Sequence, residues 1–174
     1  MKKNIIPALL IFSAASAPAQ RIQKYAIGQT GCSVYMFCEV KEFSMAYSED
    51  SSLVYTGECA GNDDASYGVI CVKLKEAVPD IKEAEDVLIS YLDFLKPHFD
   101  VASSAGYGKG HKLAGYDKAV GVIDYWKDKE GNNLKLKGWT DGQFIAVLYG
   151  YSQKELPEQK FNLFLEGFRF PEMK

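Results

Sequence analysis

Between Ala119 and Tyr151 the chain runs through three strand patterns whose links are too short to cross over a sheet. Ala119–Lys127 leads into a turn at Lys129-Glu130-Gly131-Asn132, Leu134–Trp139 returns, and Asp141-Gly142 makes a tight hairpin into Phe144–Tyr151. Parallel neighbours need a dozen or more connecting residues, so these strands are antiparallel and a doubly wound parallel sheet is excluded over most of the chain. The pattern inside each strand says what covers it. Leu134-Lys135-Leu136-Lys137 alternates, which predicts one wet face, whereas Phe144-Ile145-Ala146-Val147-Leu148-Tyr149 is apolar throughout, which predicts cover on both.

The first half repeats the theme with shorter strands. Ser33–Glu39, Phe43–Tyr47, Leu53–Glu58 and Tyr67–Leu74 read as strands, the later ones separated by turns at Ser48–Ser51 and Ala60–Ser66. Residues 20–33 show no clear period and read as a lead-in. Two helices punctuate the strands. Asp80, with Glu83 three residues on, opens the first in a capping-box-like start, and Ile81, Ala84, Val87, Leu88, Tyr91, Leu92 and Leu95 form one apolar stripe before Pro97 ends it. The second begins near Pro157, carries Phe161, Phe164, Leu165 and Phe168, and stops at Pro171. The order strands, helix, strands, helix predicts an α+β fold, an antiparallel β-sheet covered by helices.

The N-terminus sets the compartment. Lys2 and Lys3, an apolar run Ile5–Phe12 and small residues ending Ala17-Pro18-Ala19 read as a secretory signal peptide over residues 1–19, cleaved at Ala19–Gln20. The apolar run is far shorter than the roughly 20 residues a membrane span needs, and no later stretch comes closer. No apolar run leads into the first cysteine, Cys32, which argues against a lipid anchor. What remains, residues 20–174, suits one domain with a full core. At 47% apolar and 13% aromatic residues it is a folding chain. Loss of Lys2 and Lys3 leaves 18 basic against 23 acidic residues, and no basic run that would grip phosphates, so nucleic acid is excluded as a partner class.

Export gives the four cysteines, Cys32, Cys38, Cys59 and Cys71, an oxidising setting, and their even number predicts two disulfides. Three pairings are open. A hairpin about the Ser48–Ser51 turn puts Cys38 and Cys59 at the same end and favours that pair. Neither a zinc site nor a redox dithiol has its C-x-x-C spacing here.

Searches for chemistry end in simpler readings. Gly106-x-Gly108-x-Gly110 is followed by strands rather than a helix, so it is no dinucleotide fingerprint, and no Lys-Ser or Lys-Thr closes it as a phosphate loop. As a hairpin or strand-entry loop it still offers Tyr107, Lys109 and His111, which with Tyr116 make a candidate surface for an anionic or sugar-like ligand. His98, behind Pro97, suits a helix end and is not paired with Asp93. No Gly-x-Ser-x-Gly elbow exists. Asn62-Asp63-Asp64 and Asp128–Asn132 lack the alternating oxygen ligands and distal glutamate of a calcium loop. Trp126 and Trp139 read as core before they read as a stacking platform.

At Phe43–Tyr47, the helix at Ala84–Leu95, the meander ending Lys137-Gly138-Trp139 and the closing Phe164-Leu165-Glu166-Gly167-Phe168-Arg169-Phe170-Pro171, the chain resembles the PsbP-like superfamily. The likeness is of layout over residues 35–171 and of the closing aromatic helix, and four cysteines are not a feature of that group. It implies a PsbP-like sandwich, a sheet between helical layers, in an accessory or binding protein rather than an enzyme. The compact exported form also resembles secreted proteins of bacteria. The expectation is therefore an exported, secreted or periplasmic, non-enzymatic binding or accessory protein. It would carry no cofactor or metal, and its partner would be a protein or small molecule. A small hydrolase or carbohydrate-active enzyme working through residues 105–116 and a structural envelope protein are the alternatives.

Overall fold

The computed structural model describes residues 22–61, 64–154 and 157–173. The signal segment, its cleavage point and Asn62-Asp63 lie outside the described residues. The first strands are β1 (Gln23–Ala26), β2 (Ser33–Met36), β3 (Ser44–Tyr47), β4 (Leu53–Ala60) and β5 (Ala65–Lys73). Helix α1 (Ile81–Leu95) follows and runs into a 3₁₀ turn, Lys96–Phe99. The second half holds β6 (Val101–Ser104), β7 (Gly108–Leu113), β8 (Tyr116–Asp128), β9 (Asn133–Thr140) and β10 (Phe144–Ser152), then α2 (Glu158–Leu165) and β11 (Phe168–Arg169).

The meander forms as the short links require: β8, β9 and β10 are antiparallel neighbours. The central sheet runs β3-β4-β5-β10-β9-β8-β6, and β7 also pairs with β8. Its pleat sorts side chains into two cores. One face carries Ile70, Val72, Ile145, Val147, Val122, Trp126 and Leu136 toward α1. The other carries Tyr67, Val69, Cys71, Ala146, Leu148 and Trp139 toward α2, β2 and β11.

The expected α+β sandwich, a sheet covered by helices in a PsbP-like arrangement, is corrected by this architecture. The fold is mostly β: 48% of the described residues lie in strands and 18% in helices. Among the described residues, helical cover on one face is α1 alone. The other face is covered by a second sheet, β1-β2-β11, together with the short α2. Two local reasons account for the difference. The lead-in lacks a period because β1 lies at an edge with three of its four residues exposed, yet it pairs with β2 along its whole length. The closing aromatics do not stay helical: the Gly167 N–H turns back onto the Phe164 carbonyl at 2.8 Å, and Phe168 then joins β2 opposite Val34. Phe161, Phe164, Phe168 and Phe170 are all buried, so the apolar spacing was real while its secondary structure changed midway.

A second correction concerns β9. Lys135 and Lys137 are not on a wet face; each residue is only 6% exposed. Their ammonium groups sit over aromatic rings, Lys135 Nζ 5.3 Å from the Tyr125 centroid and Lys137 Nζ 4.4 Å from that of Trp139. The ammonium ends reach Asn162 Oδ1 at 2.7 Å and Glu166 Oε1 on the α2 side.

Cys38 and Cys59 form the favoured disulfide, with Cα atoms 5.7 Å apart. The second expected bridge is absent: Cys32 and Cys71 are buried free thiols. A hydrogen bond with Cys32, and then burial, push the Cys71 thiol well up from its ordinary value, which keeps it protonated. Among the described residues no helix is long and apolar enough to cross a membrane.

Candidate functional site

Helix α1 opens as its sequence requires, the Asp80 carboxylate accepting from the N–H groups of Lys82 (2.9 Å) and Glu83 (3.0 Å). Its fully buried stripe, Ala84, Leu88, Leu92 and Leu95, is seated over β8 and β9. Among the described residues no helix is seated over β3 and β4 on this face, and buried Val72 and Ile145 lie at the base of the gap between those strands and the flank of α1.

The result is a cleft of about 590 Å³, within the roughly 300–1,000 Å³ usual for small-molecule sites. Val54, Val72 and Ile145 make its floor, one residue from each of three adjacent strands in register. Val87, Ser90, Tyr91 and Phe94, on the flank of α1 away from the sheet contact, make the wall. The β3–β4 turn closes one end with Tyr47, Ser48, Glu49 and Asp50. Phe94 and Tyr47 are 58% and 69% exposed, a large apolar surface left in water at the mouth.

The turn is held by Asp50. Its Oδ1 accepts from Ser48 Oγ (2.5 Å) and the Ser52 N–H (3.2 Å), and its Oδ2 from Ser52 Oγ (2.7 Å). Those hydroxyl and amide donors lower the carboxyl from 3.8 to about 2, so it is ionised at any ordinary pH.

Two further depressions lie along the same face. One, of about 600 Å³, has Glu42, Ser44, Thr56, Glu58, Ile70 and Tyr149 around it. The other, of about 210 Å³, is lined by Glu58, Phe99, Asp128, Asn132, Leu134, Tyr149 and Tyr151. Tyr149 joins them because Gly68, its register partner on β5, has no side chain: a Cβ there would sit 2.1 Å from the Tyr149 ring. The ring lies flat across that gap and its hydroxyl reaches Glu58 on β4 at 3.3 Å, while Tyr151 donates to the same carboxylate at 2.7 Å. Burial, and then the Glu58 charge, push the Tyr149 hydroxyl far up, so it stays a donor.

The sequence-derived surface lies elsewhere and is split. Tyr107 and Lys109 are brought together along α1: the Tyr107 hydroxyl donates to Asp93 at 2.6 Å beneath the Lys96 ammonium, and Lys109 pairs with Asp86 at 3.5 Å. The Gly110 N–H donates to Glu85 at 2.7 Å, so the glycine segment is docked on the helix. His111 turns toward the Gly108 and Ile123 side, where burial and then the Lys137 charge lower its pKa. Tyr116 stacks on Phe170 at 5.2 Å and donates to Asp141 at 3.3 Å, and burial lifts its hydroxyl to about 12. These four residues are used in packing β7 and β8 against their neighbours.

His98 holds the α1 end, its Nδ1 3.0 Å from the Phe94 carbonyl oxygen. Trp126 and Trp139 are core residues on opposite faces, bonded to Asp124 Oδ2 (2.6 Å) and the Leu165 carbonyl (2.8 Å). Sequence reasoning missed Asp124, a fully buried carboxylate beneath Trp126, and missed the Glu58–Tyr149–Tyr151 group. Alternation on β4 puts Val54, Thr56 and Glu58 on one face, and that was a usable signal for the floor. Nothing local said that the helix would leave it open. Among the described residues no group of three or more His, Cys, Asp and Glu side chains is placed to hold a metal ion. Neither the protein-family models nor the curated proteins compared with this chain give a match.

Proposed function

We propose that this chain is an exported binding or accessory domain whose cleft beside α1 takes a small ligand with an extended apolar part. The observation that carries this reading is the gap beside α1: an apolar base and an apolar helix flank meet at a cleft, with Phe94 and Tyr47 exposed at its mouth. Exposing such side chains has a cost of roughly 1.5–3 kcal/mol each relative to burying them, and a ligand recovers it. A cleft walled by one helix and floored by a rigid sheet is also preformed, which removes the ordering cost of binding. The Cys38–Cys59 disulfide is compatible with export, since such bonds persist in oxidising compartments.

Ser90 tests the site, because it is small, exposed and on the cleft wall. The neutral fluorophore N-phenyl-1-naphthylamine is expected to bind saturably at one site per chain. Ser90→Trp fills the cleft and is expected to weaken that binding at least tenfold without changing the thermal midpoint by more than a few degrees. Unchanged probe binding in a folded Ser90→Trp protein would falsify the cleft as the binding site.

A further inference from the structure

We infer that the ligand of this cleft is a cationic amphiphile, an apolar chain ending in an ammonium or similar organic cation. The inference rests on the cleft being the binding site and adds the charge of what binds there.

The charge distribution along the trough points to it. The cleft and the two depressions beyond it are lined by five carboxylates, Glu42, Glu49, Asp50, Glu58 and Asp128, and by no Lys, Arg or His side chain. The whole chain has 20 basic and 23 acidic residues, near parity, so a lining of one sign is a local arrangement and not the chain average. A low-dielectric trough of one sign concentrates counter-ions of the other.

The floor is continuous between the apolar and acidic parts. In the β4–β5–β10 register, Val54–Val72–Ile145 is followed by Thr56–Ile70–Val147 and then by Glu58–Gly68–Tyr149. Val54 and Glu58 are four residues apart on one strand, roughly 13 Å at about 3.3 Å per residue. An extended chain lying over Val54 and Thr56 thus delivers its end group to Glu58. There the carboxylate is oriented by the Tyr149 and Tyr151 hydroxyls, and the Phe99 ring stands edge-on to Tyr149 at 4.8 Å. A carboxylate among aromatic rings, with no Lys, Arg or His among the described residues that line its depressions, is the environment that organic cations prefer. Carboxylate- or phosphate-headed amphiphiles would meet only like charge.

Three probes with one chain length separate charge from apolar contact: n-octylammonium, 1-octanol and octanoate, titrated calorimetrically against the intact protein at pH 7. The ammonium is expected to bind at least tenfold more tightly than the carboxylate, with the alcohol between them and the preference shrinking at 0.5 M salt. Glu58→Gln removes the charge and keeps one acceptor oxygen for a tyrosine hydroxyl, while its amide N–H can donate to the other hydroxyl. It is expected to cut the ammonium-over-carboxylate preference to less than threefold, with octanol affinity changing less than ammonium affinity. Glu42→Gln, farther from the tyrosines, is the second variant, expected to reduce the preference in part. Ser90→Trp is expected to weaken all three probes together. Equal affinity for the three probes, or a preference that survives both Glu variants, overturns the inference and leaves the cleft standing. Failure of all three probes to bind overturns the cleft reading and the inference with it.

Discussion

Asp50 shows how one side chain sets a local geometry. It sits in a tight turn where Ser51 has φ +67°, a left-handed conformation that is uncommon for a non-glycine residue. Its carboxylate gathers two serine hydroxyls and one N–H, and in doing so fixes the end wall of the cleft. A carboxyl that is more acidic folded than unfolded stabilises the fold above its ordinary value of 3.8 and loses that contribution as pH falls toward about 2. Asp50→Asn is therefore expected to lower the thermal midpoint by a constant amount above pH 5, and the gap to the unaltered protein should close between pH 4 and pH 2. A gap that is the same at pH 2.5 and pH 7 would show that the charge contributes nothing. Glu58 is the contrasting residue. It holds no turn, and its two tyrosine donors come from a strand more than ninety positions away, so nothing in its own neighbourhood announces a role.

Elements with a local cause were legible in the sequence. The β8–β9–β10 meander follows from link length, the start of α1 from Asp80, and the Cys38–Cys59 bridge from the hairpin between them. Elements whose cause is distant were not. β1 exists because β2 offers it an edge, and β11 exists because Val34 and Ser33 pair with Phe168 and Arg169 from the far end of the chain. The candidate site belongs to the second kind: its floor, wall and end come from β4, β5, β10, α1 and one turn, so no contiguous motif spans it. Close packing between elements gives a sharper expectation. At Gly150 an added Cβ would stand 1.6 Å from the Phe161 ring, which means α2 rests directly on the β10 backbone. Gly150→Ala has to lift the helix, and overpacking of this kind costs about 1–3 kcal/mol. Chemical unfolding should show a loss in that range. A change below 0.5 kcal/mol would mean that α2 is not seated as described.

Across the whole molecule, the two faces of the central sheet have different jobs. The face toward α2 is closed by the second sheet and by the densest set of aromatics, with Tyr67 stacked on Phe161 at 4.9 Å and edge-on to Phe164 at 5.3 Å. The face toward α1 carries the cleft, at the side of β3 and β4. The Cys38–Cys59 bridge, 21 residues apart, adds to the closed side by tying the segment after β2 to the end of β4. Closing a loop of that size restrains the unfolded chain by about 3 kcal/mol. The double variant Cys38→Ala, Cys59→Ala should lose about that much in urea, and an unchanged midpoint would rule the bridge out as a stabilising element.

The pairing of β2 with β11 also has a consequence in time. At roughly 5–20 residues per second, the ribosome needs roughly 7 to 27 seconds after Val34 to reach its partner Phe168. Until then the apolar faces of β2 and the central sheet lack their cover, while the β3–β4 and β4–β5 hairpins are already free to form. A fold that waits for a strand made so long after its partner cannot close early, which is the condition a polypeptide must meet if it is to be threaded through a pore before it folds.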